Sequence, residues 1–507
     1  MLARVETIAL EGIAARPVEV EVDASVGMPG LHIVGLPEGA VREAKDRVTA
    51  AVGNAGIRLP KRRVTVNLAP ADLPKAGSAY DLPIALGLLV ALGKLPAEGL
   101  KGRLFLGELA LDGRIKPVPG VLPAAILARR SGFRELIIPA ENGLEASLAP
   151  GIAVVTPATL TDLVWHLLGE RPLAPLAEAD WRQWLDGERP SGGDLADVKG
   201  QEHAKRALEI VAAGGHNLLM SGPPGSGKTM LARCLPGILP HLSLDESLEV
   251  TAVHSVAGKL PSGRPLVGSR PFRAPHHTAS HVALIGGGSF PRPGEVSLAH
   301  RGILFLDEIP EFGRTALEVL REPLESGDVV ISRAARSIRF PARFQLVAAC
   351  NPCPCGHQGD PSRVCRCSPV QVSRYRSRLS GPLLDRIDLH VEVPPVPSEV
   401  LVGLPKGESS GSVRGRVEGA RERQGLRQGP GLLNANLDGG DLAAHAGLSV
   451  EGRELMLEAG RRLGFSARTH HRVIRVARTV ADLAGSEVID TDHLAEAVQF
   501  RVGGRFQ

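Results

Sequence analysis

The spacing of apolar and polar positions divides the 507-residue chain into stretches with different periods. Apolar and polar residues alternate in Val18–Asp23 and Val64–Ala69, and a short apolar run fills Glu135–Ala140; all three predict strands. Between the first two, Glu38–Asn54 has helical spacing, with Ala40, Ala44, Val48 and Ala51 on one stripe. Periodicity disappears from Glu170 to Gly193, where Pro, Gly, Trp and charged residues predict a linker. Past it, two apolar runs read as buried strands, His216–Met220 and Gly302–Leu306, each followed at once by polar, chemistry-bearing residues. A polar stretch, Gly403–Gly411, predicts a loop, and the remainder is helical. There Ser466 is placed to cap a helix whose Val473, Val476, Ala477, Val480 and Leu483 form an apolar stripe. No internal repeat is present. The expected organisation is an α+β unit over 1–170, a linker over 171–193, an α/β unit with a parallel sheet over 194–400, a loop over 401–410 and a helical unit over 411–507.

Composition changes this picture in two places. Forty-three per cent hydrophobic and 22% charged residues with a net charge of +4 exclude a strongly basic packaging protein and an acidic-tailed one, while leaving room for local basic faces. Aromatics are 3%, so ring stacking contributes little to core or ligand. Five of the six cysteines fall between Cys350 and Cys367, which points to a local metal or redox cluster rather than a dispersed disulfide framework. The first residues lack the basic start and apolar run of a signal peptide. Leu82–Leu92, the most apolar stretch, is shorter than the ~20 residues a bilayer demands and contains Pro83. A cytoplasmic address and no membrane association are expected.

The densest chemistry follows His216. Gly222, Pro223, Pro224, Gly225, Ser226, Gly227, Lys228 and Thr229 spell G-x-x-x-x-G-K-T between an apolar strand and a helical pattern. Glycines let consecutive backbone N–H groups face one concavity, and the helix N-terminus adds positive potential, so a nucleotide phosphate is the expected guest. Lys228 is expected on the β- and γ-phosphates and Thr229 on Mg2+. The run Gly302–Ile309 ends in Asp307 and Glu308, at the sheet edge where ligands bind. Asp307 is expected to hold the metal and Glu308 to polarise the attacking water.

With these residues in place the central unit resembles the AAA+ ATPases. The resemblance implies that Asn351, ending the strand-like Leu346–Asn351, is the sensor 1 residue. It implies that Arg386 in LLDRID is an arginine finger acting on a neighbour's nucleotide, hence a ring, usually hexameric. Arg468, Arg472 and Arg475 share one helix face, and the resemblance favours Arg468 as sensor 2.

Cys353, Cys355, Cys365 and Cys367 form two C-x-C pairs nine residues apart in a Gly/Pro-rich loop, a donor set suited to tetrahedral Zn2+; His357 is an alternative ligand. Cys350 and Cys234 are expected to pack in the core. Six arginines lie between Arg363 and Arg386, and Asp328–Phe344 reads as a hairpin with Arg333 and Arg336 near its tip. Together with Arg374 and Arg376 they form a candidate DNA-contacting set, sequence-independent and salt-sensitive. The pair His276–His277 is expected to serve loop packing or phosphate contact.

Residues 74–140 resemble the proteolytic domain of Lon, an α+β unit of the ribosomal S5 domain 2-like type. The nucleophile position falls on Ala79, with Ser78 one residue away. The lysine position falls near Leu122, with Lys116 displaced by about six positions. A Ser–Lys dyad requires both groups within hydrogen-bond reach, so the unit is expected to be non-catalytic. The whole combination resembles the ComM (YifB) family of magnesium-chelatase-like ATPases. That resemblance implies a hexameric, ATP-driven branch-migration motor that promotes integration of incoming DNA. A chelatase-type motor subunit remodelling a partner, and an ATP-dependent protease, are the alternatives.

Overall fold

The computed structural model describes all residues except 1, 58–61, 179, 186–191, 262, 289–290, 334–335, 360–362, 397–405 and 503–507. Two sheets organise it. The first strands, β1 (Leu2–Glu11) and β2 (Ala14–Ser25), pair antiparallel from Leu2↔Asp23 to Glu11↔Ala14 around Gly12, whose φ of 66° suits the tight turn. With β3 (Gly30–Val34), β4 (Arg63–Ala69), β5 (Arg103–Phe105), β6 (Glu135–Ile137) and β7 (Ala153–Val155) they form a seven-stranded mixed sheet, ordered β3-β4-β2-β1-β5-β6-β7. The first two expected strands lie inside β2 and β4, and the third forms β6 but ends at Ile137, short of Ala140.

The helix expected over Glu38–Asn54 is split. A one-turn helix at Gly39–Arg42 precedes α1 (Ala44–Asn54), the two separated at Glu43, and Arg47 Nη2 donates back to the Ala40 carbonyl at 2.8 Å. Ala44, Val48 and Ala51 are buried as the stripe predicts. The apolar run becomes α2 (Asp81–Ala91), buried at every position. Pro83 is tolerated because it lies in the first turn, where its missing N–H has no intrahelical partner. Gly87 lets α2 press onto the sheet: a Cβ there would lie 2.5 Å from Val22 Cγ2. Helix α3 (Val121–Arg130) completes this half.

The second sheet is parallel throughout, with strands β8 (Leu218–Ser221), β9 (Phe272–Arg273), β10 (Ile303–Leu306), β13 (Gln345–Cys350) and β14 (Leu389–Glu392). The antiparallel hairpin β11 (Asp328–Arg333) and β12 (Arg336–Pro341) stands between β10 and β13 in sequence. The sheet order is β9-β10-β13-β8-β14. Its strands are apolar on both faces, and the two-residue period deals their side chains into separate cores. Leu218, Met220, Ile303, Phe305, Val347 and Ala349 face one core, while Leu219, Leu304, Leu306, Leu346, Ala348 and Cys350 face the other. Helices α4 (Glu202–Gly214) and α5 (Lys228–Ile238) cover the first face. Helix α7 (Pro369–Arg376) lies between β13 and β14 in sequence, and the C-terminal helices α8 (Ser410–Gln428), α9 (Val450–Leu463), α10 (Ala467–Ala484) and α11 (Thr491–Val502) follow. Helix α8 packs on α4, α5 and α10. Ser466 caps α10 through Thr469 N, and Val473, Val476, Ala477 and Val480 are buried.

The stretch expected as a linker is tied down. Leu176 N donates to Val154 O at 2.8 Å, and Trp181 and Trp184 pack on a cluster built from Leu122, Leu148, Ala252 and Leu266. That cluster joins the two halves, since Ala252 lies in α6 (Leu244–Val256). Beside it the buried Glu145 carboxylate accepts from Leu122 N at 2.8 Å and from the Ser255 hydroxyl. Gly12 sits so close to the hairpin that a Cβ would come within 2.5 Å of Arg339 O. Among the described residues, no helix is long and apolar enough to cross a membrane.

Candidate nucleotide site

Strand β8 ends at Ser221 and α5 begins at Lys228, so the six residues between form a loop at the C-terminal edge of the parallel sheet. Gly225 and Gly227 adopt φ of 79° and 92°, a region side chains avoid, which lets the loop double back before the helix starts. Gly222 is held from both sides. Its N–H donates to Cys350 O at 3.2 Å, and a Cβ would collide with Val393 O at 2.1 Å. The loop is thereby fixed to β13 and to the segment after β14.

The predicted groups converge here. Lys228 Nζ donates to Gly222 O at 2.8 Å and Pro223 O at 2.9 Å, and lies 3.4 Å from Asn351 Oδ1. Burial lowers its pKa, opposed by the nearby carboxylates of Asp307 and Glu308. Thr229 Oγ1 donates to Asp307 Oδ2 at 2.8 Å, bringing together the two oxygens expected to share a magnesium ion. The preceding strand positions them: Ile303–Leu306 is wholly buried, and its exit delivers Asp307 and Glu308. Glu308 holds φ 51° and ψ 44°, a left-handed conformation costly for a residue with a Cβ. Its N–H donates to Asp307 Oδ1 at 2.9 Å.

Motif reading missed one contact at this point. His277 Nδ1 lies 3.6 Å from a Glu308 carboxylate oxygen, and its ring packs on that of His276 at 4.1 Å. The His–His pair was visible in sequence as loop chemistry; its proximity to Glu308 was not.

Arg386 does not project freely. Only 8% exposed, it donates through Nη1 to Pro382 O at 2.7 Å and pairs through Nη2 with Glu325. It borders a cavity of about 440 Å3, also lined by Ile285, Val319, Arg321, Glu322 and Glu325. On α10 the three arginines separate. Arg472 Nη1 binds the buried Asp388 at 2.8 Å, Arg475 is half-buried, and Arg468 is exposed with no ion pair among the described residues. Asp388 also accepts from Asn217 N at 3.0 Å and faces His216 at 3.7 Å. Burial alone would raise its pKa, but His216 and Arg472 outweigh that and hold it well below the usual carboxylate range.

The cysteine loop follows β13 directly. The Sγ atoms of Cys353, Cys355, Cys365 and Cys367 all lie within 4.8 Å of one another. His357 stands outside this group, so the alternative that it replaces a thiolate is set aside. Hydrogen bonds from the backbone of His357 and Arg366 push the Cys355 thiol down to about 6. Burial pushes Cys350 up to about 12 and Cys234 up to about 11, in keeping with core packing. Of the basic candidates, Arg374 is exposed, whereas Arg376 turns inward, Nη2 donating to Gln358 at 3.2 Å. Arg333 and Arg336 pair at the end of the hairpin ladder; their side chains lie outside the described residues.

The positions matched to Lon chemistry carry none of it. Ala79 packs with a hydrophobic cluster and Leu122 is fully buried. The Ser78 hydroxyl donates to Glu108, and Lys116 sits opposite Glu108 on an adjacent two-residue ladder with an exposed side chain.

Comparison with known proteins agrees over the whole length. Three family models match: Subunit ChlI of Mg-chelatase over residues 20–142, Magnesium chelatase, subunit ChlI over 194–401, and Magnesium chelatase, subunit ChlI C-terminal over 407–501. Competence protein ComM of Haemophilus influenzae is 48% identical over 501 residues, covering 99% of this chain and 97% of its own. The YifB protein of Escherichia coli is 47% identical over 502 residues, with the same coverage. The magnesium-chelatase 38 kDa subunit of Rhodobacter capsulatus is 28% identical over 214 residues, covering 39% of this chain and 54% of its own. Near-complete coverage at almost half identity, on a parallel sheet flanked by helices, shows that the chain belongs to the ComM/YifB family of magnesium-chelatase-like AAA+ proteins.

Proposed function

We propose that this chain is an ATP-hydrolysing ring motor, a hexamer of the AAA+ kind, that moves branched or single-stranded DNA during recombination with incoming DNA. The observation that carries the nucleotide half is the convergence of Thr229, Asp307, Lys228 and Asn351 on one glycine-rich loop at the sheet edge. In this reading Gly222 to Gly227 cradle the phosphates, and Lys228 exchanges its loop carbonyls for β- and γ-oxygens. Thr229 and Asp307 hold Mg2+, which neutralises developing charge when bound. Glu308 orients the attacking water, Asn351 senses the γ-phosphate, and Arg468 approaches the nucleotide from the helical region. Arg386 leaves Glu325 to serve a neighbouring subunit's phosphate, which makes a ring necessary for full activity.

The DNA half is supported by the name of the Haemophilus relative, a competence protein, and by the basic segments carrying Arg333, Arg336, Arg374 and Arg376. Zinc in the cysteine loop and a cytoplasmic location belong to the same reading. So does the division into a non-catalytic Lon-like unit over 1–170, a linker over 171–193, an ATPase core over 194–400, a loop over 401–410 and a helical lid over 411–507. Three-stranded branch migration with ATP, comparing wild type with Glu308→Gln at low salt, tests it. The expected result is strand exchange that the variant loses while still binding ATP. Equal ATP turnover with and without branched DNA would leave the second reading, a motor that remodels a protein partner, which the chelatase subunit matches favour.

A further inference from the structure

The nucleotide chemistry leaves four converging cysteines unused. Cys353 Sγ lies 3.4 Å from Cys355 Sγ and 3.6 Å from Cys365 Sγ, and Cys355 lies 3.7 Å from Cys365. Cys367 completes a group whose members are all within 4.8 Å. A disulfide holds its sulfurs at about 2.05 Å, so these are separate thiols. Four thiolates bound tetrahedrally to one zinc at about 2.3 Å stand about 3.8 Å apart, close to the spacing found. An all-sulfur donor set excludes the hard cations Mg2+ and Ca2+, which take oxygen.

The position of this cluster matters as much as its geometry. The turn between its first ligands closes by Gly356 N donating to Cys353 O at 3.0 Å. Gly356 holds φ 82° and lies directly on the phosphate loop: a Cβ there would come within 2.6 Å of Pro224 Cδ and 3.9 Å of Asn351 Cγ. At the other end of the same connection, Cys350 O accepts from Gly222 N at 3.2 Å. The phosphate loop is therefore gripped between strand β13 and the cysteine turn, with the cluster at the free end of the grip.

We propose that Cys353, Cys355, Cys365 and Cys367 hold one Zn2+, and that this ion clamps the Cys353–Gly356 turn against Pro224, so that metal occupancy sets nucleotide affinity. Binding releases the thiol protons and cross-links two C-x-C arms otherwise joined by long, weak S–H contacts. Fixing the turn preorganises the phosphate loop, and preorganisation lowers the ordering cost of binding. The zinc site stands on the thiol geometry alone; the coupling rests on the ATP reading above.

The experiment uses full-length protein purified without chelator. Metal analysis is expected to find one zinc per chain, and Co2+ exchanged into the site is expected to give thiolate-to-cobalt charge-transfer bands that Cys365→Ser with Cys367→Ser abolishes. Protein without zinc, or with iron in its place, overturns the assignment. For the coupling, a fluorescent ADP analogue is titrated into loaded, stripped and zinc-restored protein. Stripping is expected to weaken binding about tenfold or more, reversibly. Because stripped protein can unfold, Gly356→Ala provides a second arm. It is expected to keep one zinc per chain yet bind the analogue about tenfold more weakly. Wild-type affinity in both arms overturns the coupling while the zinc count stands. If loaded protein binds no nucleotide at all, the coupling falls together with the ATP reading, and the metal analysis still decides the site by itself.

Discussion

The loop at Gly222–Thr229 and the segment at Ser78–Leu122 each resemble part of an enzyme, yet the fold treats them in opposite ways. Around the phosphate loop, polar side chains from three strands are steered to one point: Lys228 after β8, Asp307 after β10 and Asn351 after β13. Around Ser78 the equivalent positions are apolar, and the hydroxyl is paired with Glu108. Leu122 fills part of the seam between the two halves, together with Leu148, Ala252 and Leu266. Both regions have well-packed backbones, so the overall shape does not distinguish them. What separates the two regions is whether the side chains that the resembled chemistry requires converge in reach of one another. In the N-terminal half the same space goes to packing, which joins it to the half that carries the phosphate loop.

The largest effect expected from this contrast is on Arg386. Arg386→Ala should lower ATP turnover by ~10³–10⁵-fold in assembled protein while nucleotide affinity stays near wild type. Steady-state hydrolysis and analogue binding on the same preparation check it. A loss smaller than tenfold would mean that the Glu325 pairing is structural and the finger lies elsewhere.

Next comes Asp388, which ties Arg472 of α10 to Asn217 at the head of β8. Removing one member of a buried pair leaves the other charge uncompensated, so Asp388→Ala should cost about 3–5 kcal/mol in denaturant unfolding. The pH dependence has a definite sign. The folded state holds this carboxyl below its unfolded value, so its contribution is complete above about pH 4 and declines as pH falls further. Asp388→Asn should therefore flatten the acid limb of the stability profile below about pH 4, and an unchanged limb would refute the assignment.

These two residues also mark the limit of what was legible beforehand. The phosphate loop, the acids after β10, the hairpin and the Ser466 cap depend on neighbours in sequence, and the spacing of a few residues was enough to place them. Parallel-sheet strands betrayed themselves as short apolar runs because both faces are buried. The partners of the site were invisible for the opposite reason. Glu325 meets Arg386 across 61 residues, and His277 meets Glu308 from a separate loop; no local period encodes such meetings. The stretch after Glu170 has the composition of a linker, and its packing was hidden because Trp181 and Trp184 meet an apolar seam contributed by both halves. Likewise Arg47, on α1, reaches both the Ala40 carbonyl and Asp81, 34 residues away, a meeting that no local period encodes.

Within the seam, Leu122→Ala should destabilise the protein by about 2–5 kcal/mol, the cost of a cavity under fully buried surroundings. The unfolding midpoint reads it directly. ATP turnover per folded molecule, measured well below that midpoint, is expected to stay within about twofold of wild type. A selective loss of turnover at full folding would show that the seam transmits more than stability, and the contrast between the two regions would need redrawing.

The smallest effect is the most pointed test of the contrast. Ser78 keeps a hydroxyl one position from where a nucleophile would be, and Lys116 lies opposite Glu108, which accepts the hydroxyl's hydrogen bond. That hydrogen bond commits the hydroxyl to Glu108 instead of to an amine, so the hydroxyl is held as a donor outside any Ser–Lys dyad. Ser78→Ala should therefore leave ATP turnover unchanged and shift stability by no more than about 1.5 kcal/mol, the net worth of one hydrogen bond. Casein degradation with ATP should be absent in both wild type and variant. ATP-dependent cleavage that wild type performs and Ser78→Ala abolishes would place a working nucleophile in the N-terminal half, and the two regions would differ in kind of chemistry instead of in its presence.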